Sequence, residues 1–264
     1  AFARDLLNLV HAYDWLLAHD VHSSLLAVAA KELGLRVTYF VHSPGYLLPL
    51  DLAGVFYSDT VIANSRLTAR LVEAHYGDLV SRKLRVVYPA PPYEPVGEYP
   101  RRSNSVPTVV IPSRFQFNKD PAHVLGVLEE VRRSVRFRVL VFGRGAEYYS
   151  LPTWVENLGT LGEEEKLRVY RETDLVLQVG FPEPFGLVAL EAVALGTPVL
   201  VSSQSGVAEV LPEEARYTPE DLAGRLVELL SDPRAREELW WRERSSPIMS
   251  RTWADVWREV SAGG

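Results

Sequence analysis

Cysteine is absent from the 264 residues, and methionine occurs once. Without thiols there is no disulfide, no cysteine nucleophile and no cysteine-held zinc. No apolar run approaches the ~20 residues that a membrane-spanning helix needs. No secretory signal is visible either, so the cytoplasm is the expected compartment. Positive charge is in deficit, with 28 Lys and Arg against 34 Asp and Glu and a net charge of −6. That argues against a general nucleic-acid partner while leaving room for a local basic cleft. Asp-x-Asp is also missing, so no carboxylate pair at that spacing is available to a metal. Low-complexity segments are absent. The scarcity of Met, Asn and Gln gives the composition of a thermophile's protein.

What is present is a globular chain, 47% apolar, of a length that suits one large or two medium domains. Residues 2–13 read as a helix with Phe2, Leu6, Leu9 and Val10 on one face. Strands follow at 15–20, 36–42, 60–65 and 84–89, with helices at 23–33 and 67–76 between them. Strands alternating with helices imply a parallel sheet wound right-handedly. The proline-dense stretch 89–107 cannot be sheet or helix interior. A second alternating unit begins at Thr108–Pro112. It continues through a helix near 123–131, a strand at 137–142, a helix at 163–171, strands at 173–179 and 198–202, and a helix at 219–230. The tail 251–260 is amphipathic.

The chain is organised around Phe181-Pro182-Glu183-Pro184-Phe185-Gly186-Leu187, which links a buried strand to a helix of small and aliphatic residues. The first N–H groups of a helix lack internal partners and carry the positive end of its dipole, so an acid-free first turn is an anion site. Gly186 lets a ligand approach those groups. Glu191 lies eight residues beyond Glu183, about two turns along at 3.6 residues per turn, so both acids can border one cleft. Carboxylates accept paired hydrogen bonds from vicinal hydroxyls, as on a sugar or ribose. Read alone, the stretch is equally a buried crossover with two solvated acids. Arg114 and Lys119, five apart in a strand-to-helix loop, can reach one polyanion, or be two solvated cations. His19, Asp20, His22, His42 and Ser65 fall at strand ends, where ligands bind in such sheets. Each histidine is as readily a hydrogen-bonded turn residue.

The run Glu183-Pro-Phe-Gly-Leu with Glu191 resembles the E-x7-E signature of retaining glycosyltransferases of family four. These are nucleotide-sugar enzymes of the GT-B fold, related to bacterial and archaeal glycogen synthases. Ser113-Arg114 through Lys119-Asp120 is similar to the family's G-R-x4-K-G segment, with Ser and Asp replacing the glycines. Leu17-Ala-His-Asp-Val-His-Ser23 is similar to H-x-H-D-W-H, with Val21 in place of Trp. Gly143-Arg144-Gly145 stands where the family has a glycine turn near the donor. Leu158–Gly162 resembles its strand by the nucleobase, and Gly206-Val-Ala-Glu209 its G-G-x-x-E loop, with Val207 replacing a Gly.

The resemblance implies an α/β protein of two Rossmann-like doubly wound parallel-sheet domains (GT-B), the first incomplete. Residues 1–95 would be a partial amino-terminal acceptor-side domain and 96–107 a linker. Residues 108–245 would be the carboxy-terminal nucleotide-sugar-binding domain, and 246–264 a helix packing back on the first domain. The first half holds fewer strands than a complete GT-B amino-terminal domain, so a fragment or a naturally abbreviated member is expected. The implied activity is metal-independent transfer of a sugar from a nucleoside diphosphate sugar, with retention. The donor is a substrate and no cofactor is expected. His19, His22 and Glu183 would stand by the reacting sugar, with His19 favoured by its strand-end position. Arg114 and Lys119 would bind the diphosphate. Gly143, Leu161 and the backbone of Phe185, Gly186 and Leu187 would line the donor, and Glu191 would hold ribose. The acceptor would be a sugar or a lipid, which leaves room for a peripheral membrane contact. Rival readings are a glycoside hydrolase using the two Glu, a sugar-nucleotide 2-epimerase of the same fold, and a non-catalytic nucleotide-sugar-binding module.

Overall fold

The computed structural model describes residues 13–42, 49–100, 102, 104–112, 121–145, 151–180 and 182–262. Of the helix expected over 2–13, all but Tyr13 lies outside them. The chain forms two compact units, one of residues 1–89 with 252–264 and one of residues 90–251.

In the first unit, strands β1 (Trp15–His19), β2 (Arg36–Val41), β3 (Thr60–Ala63) and β4 (Leu84–Val86) form a parallel sheet in the order β1-β2-β3-β4. Helices α1 (Asp20–Glu32), α2 (Pro49–Tyr57), α3 (Arg66–Tyr76) and α4 (Asp78–Ser81) connect them. Helix α1 starts at Asp20, earlier than its hydrophobic periodicity predicts, and Asp20 enters it with a positive φ of 51°. Helix α2 was not foreseen: its sequence, PLDLAGVFY, is apolar almost throughout and gives no polar stripe to set a helical period. Helix α3 is capped by Ser65, whose Oγ accepts from the Thr68 N–H.

The second unit carries β5 (Thr108–Pro112), β6 (Arg138–Phe142), β7 (Val155–Asn157), β8 (Leu175–Gln178), β9 (Val199–Ser202) and β10 (Arg216–Tyr217). All pairings are parallel, in the order β10-β9-β8-β5-β6-β7. Strands β5, β8 and β9 are buried along their whole length, which is why they read as unbroken apolar runs. The order reverses between β5 and β8, and in a doubly wound sheet the crevice beyond the carboxyl ends at that point is where ligands bind. Helices α5 (Pro121–Val131), α6 (Glu163–Glu172), α7 (Leu187–Ala194), α8 (Leu222–Ser231) and α9 (Pro233–Arg244) complete the unit.

The stretch 96–107, expected as a linker, is bonded to the second unit at Val96, Arg102 and Asn104. Val96 N–H donates to Ala194 at 2.9 Å, Arg244 Nε donates to the Val96 carbonyl at 3.0 Å, and Arg102 Nη2 donates to the Gly196 carbonyl at 2.9 Å. Proline forbids regular structure here, and individual backbone and side-chain bonds to the body take the place of a ladder. Helix α10 (Trp253–Ala262) belongs to the first unit, where Val260 packs with Ile62 and Val87 beside Trp15 and Val256.

Helix α9, also unforeseen, brings a carboxyl group into the core. Glu243 is fully buried, and both its oxygens accept from the Val199 N–H, at 3.1 and 3.2 Å. Burial pushes its pKa well above the ordinary carboxylate range, against the opposing pull of that hydrogen bond. A raised carboxyl pKa means that the folded state holds its proton more tightly than the unfolded state. Its share of stability is therefore full below the unfolded value and is lost as pH rises through the folded one. In Glu243→Gln, stability relative to wild type should increase with pH above the ordinary glutamate range. Thermal melts of both proteins from pH 4 to 9 would show this; a pH-independent difference would mean that Glu243 does not titrate there.

Candidate active site

The loop after β8 is fastened to the loop after β9. Glu183 N–H donates to the Gln204 carbonyl at 3.0 Å, Gly206 N–H to the Glu183 carbonyl at 3.0 Å, and Val207 N–H to the Phe185 carbonyl at 2.8 Å. These bonds fix Phe185, which is buried, and deliver the chain to the start of α7. Gly186 caps that helix in the left-handed region, at φ 95° and ψ 56°. A Cβ there would lie 3.3 Å from Gln178 Cδ and 3.4 Å from Glu183 Cγ. The dihedral therefore favours glycine, and the space beside it is tight. The first turn of α7 carries no acid, and Leu187 is exposed at its tip. A short helix N-terminus thus faces the carboxyl end of β8, at the switch point of the sheet, with Glu183 half-buried beside it.

Two further strand ends contribute. At β6, Gly143 adopts φ 127° and donates to the Gly159 carbonyl at 2.8 Å, while Leu158 N–H donates to Val141. Gly143 and the segment leading to the half-buried Leu161 therefore sit together beyond β6 and β7. Strand β5 ends at Pro112, next to β8 in the sheet. Arg114 and Lys119 follow it directly in sequence, but lie outside the described residues.

Glu191 is the one charged residue on α7, and its side chain is only 15% exposed. Its partners come from α6: Tyr170 Oη donates to Oε2 at 3.1 Å, and Lys166 Nζ donates to Oε1 at 3.4 Å. Lys166 also pairs with Glu163 at 3.1 Å and lies 5.6 Å from the ring centre of Tyr93, whose hydroxyl donates to Glu163. Burial and the Glu191 charge push the Tyr170 phenol well above its ordinary range, so it remains a donor. Burial pulls Lys166 down, but the Tyr93 and Glu163 hydrogen bonds and the Glu191 charge outweigh it, and its pKa is raised on balance. Sequence reasoning missed Tyr93, Lys166 and Tyr170. The sequence shows only that Glu163, Lys166 and Tyr170, at i, i+3 and i+7, share one helix face, not what that face meets.

In the first unit, His19 ends β1 and His42 follows β2. Their Nδ1 and Nε2 atoms are 2.9 Å apart, sharing one proton in a hydrogen bond. The His19 ring stacks on Phe40 at 4.5 Å and on His42 at 5.2 Å between centroids. Asp20 accepts from the His42 N–H at 2.8 Å, which accounts for its left-handed backbone. Burial and His42 lower the His19 pKa while Asp20 opposes them, which favours the neutral ring. His22 is the third residue of α1; its side chain is not among those described. Among the described residues, no group of three or more His, Asp or Glu could hold a metal ion. No described helix is long and apolar enough to cross a membrane.

The family model for glycosyl transferases group 1 matches residues 100–244, and that for glycosyltransferase family 4 matches residues 1–94. The chain is 32% identical over 109 residues to an uncharacterised glycosyltransferase of Methanocaldococcus jannaschii, covering 39% of this chain and 28% of that protein. It is 26% identical over 212 residues to a D-inositol 3-phosphate glycosyltransferase of Paenarthrobacter aurescens, covering 68% of this chain and 50% of the relative. The chain thus spans half or less of the length of these curated relatives. Among solved structures, that of Anabaena Alr3699/HepE with UDP and glucose superposes with a TM-score of 0.77 at 17% identity. The match covers 97% of this chain and 80% of that one.

Proposed function

The chain belongs to group 1 of the glycosyl transferases and has the α/β architecture of GT-B enzymes, and from that premise we propose that it transfers a sugar from a nucleoside diphosphate sugar to an acceptor hydroxyl, with retention and without a metal. One observation carries this reading. The switch point of the second sheet holds, within one unit, an acid-free helix N-terminus behind Gly186 and a carboxylate at Glu191. The first suits a diphosphate and the second suits a ribose diol. UDP is the first nucleotide to test, since the Anabaena protein was solved with it.

In the reaction, the bond from the anomeric carbon to the diphosphate oxygen breaks and its electron pair leaves on the diphosphate. The acceptor oxygen bonds the same carbon with unchanged configuration, and its proton goes to the departing phosphate oxygen. Negative charge grows on the leaving group, so preorganised positive charge is the main lever. The N–H groups at Phe185, Gly186 and Leu187, with Arg114 and Lys119, supply it. Glu191 holds ribose and Glu183 orients the donor sugar. In the first unit, His19, hydrogen-bonded to His42, and His22 are the candidate catalytic residues. The acceptor is a sugar or a lipid.

The test is a panel of UDP-, ADP- and GDP-sugars with simple glycoside acceptors, with anomeric configuration of product read by NMR. Transfer with retention, undiminished by a chelator in dialysed protein, is expected. An inverted product, or a strict divalent-metal requirement, would remove those parts of the proposal. Free sugar as the only product would favour hydrolysis.

A further inference from the structure

Glu191 does not wait for its ligand unheld. Each of its oxygens already takes one hydrogen bond, Oε2 from Tyr170 and Oε1 from Lys166. An ionised carboxylate has about four lone-pair sites, two on each oxygen, so one acceptor site remains on each oxygen. A vicinal diol needs that arrangement: two acceptor positions side by side, fixed in one plane. We propose that Lys166 and Tyr170 are positioning residues that hold the Glu191 carboxylate for a vicinal diol, and so set the preference of the site for ribose over deoxyribose. This rests on the nucleotide reading given above.

The two donors are themselves fixed. Tyr170 is fully buried, and its ring packs edge-on against Phe142 at 5.8 Å. Lys166 would otherwise be a flexible side chain, but Glu163 and the Tyr93 ring restrict it, and its side chain is 21% exposed. An ammonium is a point charge on a long stem and holds a partner only where the stem is restrained. Without Lys166 the carboxylate keeps Tyr170 on one oxygen, and the other oxygen turns to solvent. The carboxylate plane is then free to rotate about the remaining bond, and the second acceptor site is lost to the diol.

The experiment compares affinities for a nucleoside diphosphate and its 2′-deoxy counterpart, using whichever of UDP, ADP and GDP the wild-type chain binds most tightly in calorimetry. Both probes carry the same diphosphate, so the ratio cancels any general change in charge around the site. Wild type should prefer the ribose form about tenfold or more, as expected for one hydrogen bond to a charged acceptor. In Glu191→Ala the ratio should fall to about one. In Lys166→Met and in Tyr170→Phe it should fall to about threefold or less, and Lys166→Arg should restore it. Far-UV circular dichroism checks that each variant is folded. If Lys166→Met weakens both ligands by the same factor and leaves the ratio intact, the positioning role is overturned while the nucleotide reading stands. A ratio that Lys166→Arg fails to restore also overturns it. Wild type that binds none of the three nucleotides overturns the nucleotide reading and this inference with it.

Discussion

Replacing Gly186 by alanine should destabilise the chain and weaken the donor site together, whereas replacing Gly196 by alanine should only destabilise it. Both glycines have positive φ, 95° and 89°. An L-residue held there costs about 1–3 kcal/mol. At Gly196 the new Cβ would meet Pro100 Cδ at 2.6 Å, a clash on the far side of α7 from the proposed ligand. At Gly186 it would press on Gln178 and Glu183 instead. Gln178 is buried, with its Oε1 accepting from the Ser202 N–H at 3.3 Å and its Nε2 donating to the Val179 carbonyl at 3.1 Å. It cannot yield without breaking a pair, so the loop must move, and the N–H groups at Gly186 and Leu187 re-aim. Affinity for the nucleoside diphosphate should then fall about tenfold or more, on the scale of hydrogen bonds to charged groups. Thermal melts and calorimetry on the two variants separate the effects. Equal losses of affinity in both would mean that binding merely follows stability.

The contrast between these glycines also marks what a sequence can carry. Strand β8, the Gly186 turn and helix α7 were legible because each has a local signature: a fully buried run, a turn residue, a helix of small aliphatic residues. The parallel sheets were legible from alternation. What pairs across elements was not. Nothing in Glu163-Glu-Glu-Lys166 distinguishes a solvated helix start from a clamp on a carboxylate 25 residues away, because that contact depends on how α6 and α7 pack. His19 and His42 both read as strand-end residues, but their hydrogen bond needs the β1–β2 register that sets His19 opposite Phe40. Glu243 sits in a run, Trp-Trp-Arg-Glu-Arg, that looks solvated, yet it is buried against the start of β9. The stretch 96–107 reads as a linker because proline excludes regular structure. Its bonds come from Arg102, Asn104 and Arg244, which only the folded body brings into reach. Arg114 and Lys119, the cations read most directly from sequence, lie outside the described residues.

Those two cations should have the largest effect on ligand binding. The chain carries a net charge of −6, and Glu183 and Glu191 both flank the proposed donor site, so the surrounding field opposes a diphosphate. A helix N-terminus contributes only about half an elementary charge. That cannot balance a diphosphate, whose charge grows as the glycosidic bond breaks, so side-chain cations must do so. Each charge-assisted contact from Arg or Lys to phosphate is worth about 1.5–3 kcal/mol. Arg114→Ala with Lys119→Ala should therefore lower affinity for the nucleoside diphosphate by about 10²–10³-fold, allowing for incomplete additivity. The bare nucleoside carries no phosphate, so its affinity should be unchanged in the same protein. The loss should also shrink as ionic strength rises, because screening weakens the wild-type contacts that the variant lacks. Titrating nucleoside, monophosphate and diphosphate into wild type and the double variant at two salt concentrations tests each part. A variant that loses nucleoside and diphosphate binding alike would place Arg114 and Lys119 outside the phosphate site and leave the helix N-terminus alone against the leaving group.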